Sequence, residues 1–265
     1  MLFDSGSQQK IAHRIERLLI VDPQAPAVRM LGDLIRGAFP CEIYSAADAD
    51  RAYAMTRALD PQLIFVEHPS FGVDGYAFTK KLRRSDMACR TAAVIMVTAE
   101  ATAASILAAR DAGLHEFLRK PYTAKDLQRR LEAVTSKPRD WIEAVQYVGP
   151  DRRRFNSADY SGPRKRRNDA DKGSDAARLA QAIKIVVSAA KSLDTDLMQV
   201  RRAMNAQAME MQRNPASPPG LAALAAGLAG WCSRASVLNP QLRVELETRV
   251  RDIAAMAPPD AARAA

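Results

Sequence analysis

Between residues 17 and 135 the chain alternates between two patterns, and that alternation limits its fold more than any other feature. Short apolar runs stand at Leu18–Val21, Cys41–Tyr44, Leu63–Val66, Val94–Val97 and His115–Leu118, most of them rich in β-branched or aromatic residues. Runs of this kind are what strands buried on both faces require. Between them lie helix-like stretches, Ala27–Ala38, Ala47–Leu59, Ala77–Arg84, Thr102–Ala112 and Ala124–Val134. Strand and helix alternating at this spacing predict an α/β fold, a doubly wound parallel sheet of five strands. In such sheets the chemistry collects beyond the carboxyl ends of the strands.

The rest of the chain has a different character. Residues 1–16 read as an N-terminal extension and 17–136 as the α/β domain. From 137 to 173, Pro138, Gly149, Pro150, Gly162, Pro163 and Gly173 interrupt any helix and arginine dominates, so an irregular linker is expected. Helix returns over 174–258, and the Ala/Pro-rich residues 259–265 read as a frayed tail. Leu179, Ile183, Val186, Ala190, Leu193, Leu197, Val200 and Met204 recur at alternating spacings of four and three. That seam suits either a coiled coil that pairs two chains through 179–204 or the core face of a small bundle. Two further helices are expected near 221–234 and 239–256.

Several function classes are excluded by composition. No apolar stretch is long enough to span a bilayer, so no membrane span is expected, and the first residues have no apolar core of a signal peptide. Cys41, Cys89 and Cys232 are scattered, which suits a reduced, cytoplasmic protein and no metal site. Histidine occurs only at 13, 68 and 115, so the helical tail holds none for phosphotransfer. His68 reads as a loop residue on the rim of the domain. The net charge is +9, and residues 147–169 concentrate it, with seven Arg or Lys against three Asp. The tail is nearly balanced, which argues against dedicated DNA binding.

At the predicted strand ends the residues become specific. Asp22, Asp74-Gly75, Thr98-Ala99, Phe117 and Lys120-Pro121 occur in that order. The set resembles the CheY-like (flavodoxin-like) receiver domain of two-component response regulators, over about 120 residues. The resemblance implies a pocket in which an aspartate after the third strand accepts a phosphoryl group, acids after the first strand hold Mg²⁺, a hydroxyl and a lysine bind the phosphoryl oxygens, and an aromatic switches inward. Thr98, Lys120 and Phe117 match the last three roles.

Two positions depart from that pattern. Seven residues before Asp74 stands Glu67, and the second acidic position after the first strand is Pro23. Glutamate carries its carboxylate about one bond length further out, and in-line attack is sensitive to displacements of about 1 Å. Ordinary phosphorylation is therefore not expected, and Mg²⁺ binding should be weak or absent. Glu67 either pairs with Lys120 and mimics the phosphoryl charge or is a tolerated relic.

The linker holds an internal repeat. YVGPDRRR at 147–154 aligns with YSGPRKRR at 160–167, a spacing of 13 residues with five identities in eight. Each copy offers an aromatic ring, a turn and a fan of cations. Arginine pairs bidentately with phosphate and with a guanine edge, and tyrosine and guanidinium planes stack on bases. Two copies suit a ligand with two equivalent halves. The segment resembles the arginine-rich extension of CheY-like cyclic di-GMP effectors, which implies ligand contacts at Tyr147, Asp151, Arg152, Arg153, Arg154, Tyr160, Arg164, Lys165, Arg166 and Arg167. A general polyanion site and a plain solvated linker are the alternatives.

The expected function is a non-enzymatic signalling adaptor that requires no cofactor. Its receiver would face a protein target, and its arginine segment would bind cyclic di-GMP. The alternatives are a conventional phosphorelay regulator with a helical output, a polyanion- or nucleic-acid-binding adaptor, and a coiled-coil scaffold.

Overall fold

The computed structural model describes residues 11, 13–136, 139–152 and 175–257. They fall into two compact units, one running to Ile142 and resuming from Tyr147, the other made of Glu143–Gln146 and the helices from Asp175 onward.

The first unit is the expected sheet. Its strands are β1 (Arg17–Val21), β2 (Glu42–Ala46), β3 (Leu63–Glu67), β4 (Ala93–Thr98) and β5 (Glu116–Arg119), in the order β2-β1-β3-β4-β5. All four pairings are parallel, with Leu18 beside Leu63, Glu67 beside Val97 and Met96 beside Phe117. The connecting helices are α1 (Ala25–Arg36), α2 (Ala49–Leu59), α3 (Gly75–Arg84), α4 (Ala103–Ala112) and α5 (Ala124–Ser136). Alternating strand residues feed two cores. Leu19, Val21, Ile64, Val66, Met96 and Phe117 fill one, and Leu18, Ile20, Phe65, Ile95, Val97 and Leu118 the other. Each fully buried large aliphatic side chain contributes about 1.5–3 kcal/mol.

Capping explains where the helices begin. Asp48 accepts from Arg51 N at the start of α2, and Thr102 from Ser105 N at the start of α4. Asp74 accepts from Tyr76 N and Ala77 N at the start of α3. Each satisfies an amide that the first turn leaves without a partner. Gly75 follows for a steric reason, since a Cβ there would stand 3.0 Å from Glu67 O and 3.1 Å from Met96 Cε. The Asp-Gly pair thus starts a helix directly against the end of β3.

The expected irregular linker is corrected over 139–152, where the chain forms a two-stranded hairpin, β6 (Trp141–Glu143) and β7 (Val148–Pro150). Gly149 belongs to this hairpin and packs on Gly113, the left-handed glycine (φ +90°) that ends α4. A Cβ on Gly149 would lie 2.9 Å from Gly113 Cα, so the glycine-proline step serves close packing instead of chain mobility.

Among the described residues the second unit is a bundle of four helices, α6 (Asp175–Ala190), α7 (Leu197–Arg213), α8 (Leu221–Arg234) and α9 (Pro240–Ala255). The continuous coiled coil over 179–204 is corrected here, because the helix stops at Ala190 and a turn intervenes before Leu197. Asp196 accepts from Gln199 N at 3.0 Å and caps α7, so the break is made by a capping residue with no glycine or proline. Leu179, Ile183, Val186, Leu193, Val200 and Met204 lie in the bundle's own core beside Leu228 and Trp231, so the proposed dimer seam is spent inside one chain. Val145 belongs to that core, and Gln199 Nε2 donates to Glu143 Oε1 at 2.9 Å. Among the described residues no helix is long and apolar enough to cross a membrane.

Candidate functional site

Four residues stand where β1, β3, β4 and β5 end, and the side chains of three of them, Asp22, Glu67 and Lys120, meet. Asp22 follows β1, Glu67 closes β3, Thr98 closes β4 and Lys120 follows β5, placed there because Lys120 N donates to Thr98 O at 2.7 Å. The Lys120 ammonium contacts Glu67 Oε2 directly and lies 3.3 Å from Asp22 Oδ2. Both carboxylates are buried, Asp22 at 7% exposure and Glu67 at 6%. Burial pushes the Glu67 carboxyl up to about 7; the Lys120 contact opposes that shift and the Asp22 charge adds to it. Burial also pushes the neighbouring Tyr122 phenol up to about 12, with Asp22 and Glu67 adding to it.

The remaining pocket residues take separate positions. Thr98 turns its hydroxyl into its own loop, accepting from Glu100 N at 2.9 Å. Phe117 is buried in the core shared with Phe78 and Met96. His68 sits on the rim with its ring 3.8 Å from that of Tyr76 and Nδ1 3.5 Å from Asp74, and burial lowers its pKa. Pro23 leaves Asp22 as the sole carboxylate after β1. Among the described residues no three His, Cys, Asp or Glu side chains form a metal cluster.

Only part of the arginine segment falls within the described residues. Tyr147 is corrected as a stacking surface, because it is buried at 7% exposure and donates its hydroxyl to Pro150 O. The Arg152 guanidinium covers its ring at 4.6 Å and pairs with Asp111 at 3.0 Å. Asp151 is held by backbone, its N–H donating to Asp140 O and its carbonyl accepting from Arg139. Arg153, Arg154, Tyr160, Arg164, Lys165, Arg166 and Arg167 lie outside the described residues.

Two features carried no signal in the sequence. Phe71 is 97% exposed at the tip of the β3–α3 loop, which Ser70 and Val73 close with reciprocal backbone hydrogen bonds. Arg83 reads as an ordinary basic residue in the last turn of α3, yet its guanidinium is buried. It donates to the carbonyls of Gly113 (2.9 Å), Arg90 (2.6 Å) and Ala92 (2.9 Å) and meets His115 Nδ1 at 3.2 Å. Only contacts from two other segments, 90–92 and 113–115, make that side chain unusual.

Comparison with known proteins supports a receiver domain over this part of the chain. Residues 18–132 match the family model described as response regulator receiver domain. Chemotaxis protein CheY-3 of Vibrio cholerae is 27% identical over 126 residues, which cover 48% of this chain and 96% of that protein. The phosphate regulon transcriptional regulatory protein PhoB of Escherichia coli is 30% identical over 120 residues, 44% of this chain and 51% of its own. The probable transcriptional regulator ycf27 of Porphyridium aerugineum is 26% identical over 120 residues, 48% of its length. The chain thus spans about half the length of the two transcriptional regulators and nearly all of CheY-3. A putative response regulator from Chloroflexus aurantiacus is similar in structure, with 27% identity, a TM-score of 0.43 and coverage of 46% of this chain and 98% of that one. Residues 18–132 of this chain are a response regulator receiver domain.

Proposed function

We propose that the protein is a non-enzymatic signalling adaptor whose receiver works without phosphorylation and whose arginine segment binds cyclic di-GMP. The contact of Lys120 with Glu67 carries the first half of this reading. In it, the Glu67 carboxylate occupies the lysine that a phosphoryl oxygen would otherwise engage. The inward Phe117 accords with a domain held in its signalling form. The residues present do not fit the Mg²⁺ of the family, because Pro23 replaces one ligand and Lys120 already bridges Asp22 and Glu67. Exposed Phe71, in the loop that follows β3, suits a protein target, since a solvated large aromatic is the informative exception on a surface.

The nucleotide half rests on the duplicated YxGPxxRR pattern. Buried Tyr147 anchors the first copy, which leaves ligand contact to Arg152, Arg153 and Arg154 and to the second copy, Tyr160 to Arg167. Transcriptional control, named for two of the relatives, is not carried over, because the match to them ends with the receiver.

Two experiments test the reading. Acetyl phosphate or beryllofluoride with Mg²⁺ should leave Glu67 unmodified and the spectrum unchanged; stable modification there overturns the first half. Calorimetry of the full chain at physiological salt should show micromolar or tighter binding of cyclic di-GMP, lost in R153A/R166A. Equal binding of GMP that vanishes with the same changes and with added salt overturns the second half.

A further inference from the structure

The first copy of the arginine repeat is tied to the receiver by a charge. Arg152 donates from Nη1 to Asp111 Oδ1 at 3.0 Å, and its guanidinium lies 4.6 Å from the centroid of the Tyr147 ring. Asp111 stands in the last turn of α4, the helix that ends at Gly113. It also accepts from Arg110, through Nε at 3.0 Å and Nη2 at 3.4 Å. One carboxylate thus serves two guanidinium groups.

The position of Asp111 makes these partners matter. The last turn of a helix carries the negative end of its dipole, so a carboxylate there is disfavoured and a cation favoured. Burial also raises the Asp111 carboxyl, but hydrogen bonds from Arg110 and then Arg152 outweigh it and hold the group below its ordinary value. Asp151 brings a further negative charge nearby, felt by Arg139 and Tyr147. The pairing with Arg152 is open to exchange, because both side chains are 47% exposed and an ion pair in water is weak. Asp111 takes Arg152 through a single nitrogen, whereas a phosphate group can take a guanidinium through two. Two residues beyond Asp111, Gly113 carries Gly149 of the hairpin.

We infer that Asp111 and Arg152 form a latch, in which a phosphate-bearing ligand of the arginine segment competes with Asp111 for Arg152 and so loosens the end of α4. The inference rests on the reading of that segment as a nucleotide site and adds its route to the receiver. When the ligand takes Arg152, Asp111 keeps only Arg110 against the negative end of its own helix. The last turn of α4 is then less stable, and the seat of the hairpin on Gly113 is weakened with it. Asp111 is in this sense an internal competitor that sets the affinity of the segment, and binding is reported to α4 through the loss of one ion pair.

The test is calorimetry of the full chain with cyclic di-GMP and with inorganic pyrophosphate, in the parent, D111N, R152A and D111N/R152A. D111N removes the competitor and should tighten binding about two- to fivefold, the scale of an exposed ion pair. In the R152A background the same change should have no effect, because no latch remains to open. Hydrogen exchange is the second readout. Ligand should speed exchange at 108–113 in the parent, as R152A does without ligand, and should not do so in D111N, where no carboxylate is left stranded. Equal affinity of parent and D111N overturns the latch. A gain from D111N that persists without Arg152 is a general effect of charge and overturns it too, as does ligand that slows or leaves unchanged the exchange at 108–113 in the parent. Binding of pyrophosphate without cyclic di-GMP would remove the nucleotide reading alone, and the same cycle with pyrophosphate then decides the latch. Binding of neither anion overturns both.

Discussion

Gly149 and Gly113 meet backbone to backbone, so closely that a Cβ on Gly149 would stand 2.9 Å from Gly113 Cα and 2.8 Å from the Tyr147 hydroxyl. This contact seats the hairpin on the end of α4. Gly149→Ala is expected to destabilise the domain by about 1–3 kcal/mol, the usual cost of overpacking. Urea denaturation gives the loss, and hydrogen exchange at 139–152 should rise before that of the sheet. An unchanged exchange pattern would mean the hairpin is not held by this contact.

Arg83 has no substitute at its position. Arg83→Ala leaves the carbonyls of Gly113, Arg90 and Ala92 without their donor, and its cost is expected to be about 3 kcal/mol or more. Arg83→Lys should recover little, because an ammonium lacks the planar fork that reaches several acceptors at once. Denaturant midpoints of the two variants check this, and full rescue by lysine would refute it.

Glu67 should give stability a pH dependence of definite sign. Its carboxyl is raised from 4.5 to about 7, so between those values the folded chain holds more proton than the unfolded chain. The contribution of Glu67 to stability therefore falls as pH rises from about 4.5 to about 7. Glu67→Gln should flatten that slope, read as the difference in urea midpoint between pH 5 and pH 8. An identical slope in both proteins would place the titration elsewhere.

Restoring acids should restore metal chemistry. P23D/E67D puts a second carboxylate after β1 and shortens the acceptor side chain by one carbon. The double variant is expected to gain a Mg²⁺-dependent response to beryllofluoride that the parent lacks, monitored by the near-ultraviolet spectrum. A response of equal size in the parent would show that its pocket already works.

The helical seam predicts a unimolecular transition. Leu179 is fully buried in the bundle core, so Leu179→Ala should cost about 2–5 kcal/mol. The thermal midpoints of the parent and the variant should be independent of protein concentration. A midpoint that rises with concentration would restore the dimer seam.

The receiver sheet and its pocket were legible in the sequence because both depend on local order. Buried strands need continuous apolar runs, helices need caps such as Asp48 and Thr102, and the pocket residues sit at fixed steps after each strand. Glu67 and Pro23 were equally visible, since one residue type replaces another at a counted position. Tertiary structure alone decided three other matters. A heptad spacing does not tell whether the partner helix belongs to the same chain, and the turn before Asp196 folds the seam back on itself. The Tyr-x-Gly-Pro pattern reads alike as a mobile loop or a packed hairpin until Gly113 is seen beneath Gly149. Arg83 becomes a buried hub, and Asp111 meets Arg152, only because segments far apart in sequence come together there. Hydrophobic periodicity records which face of an element is buried, not what buries it.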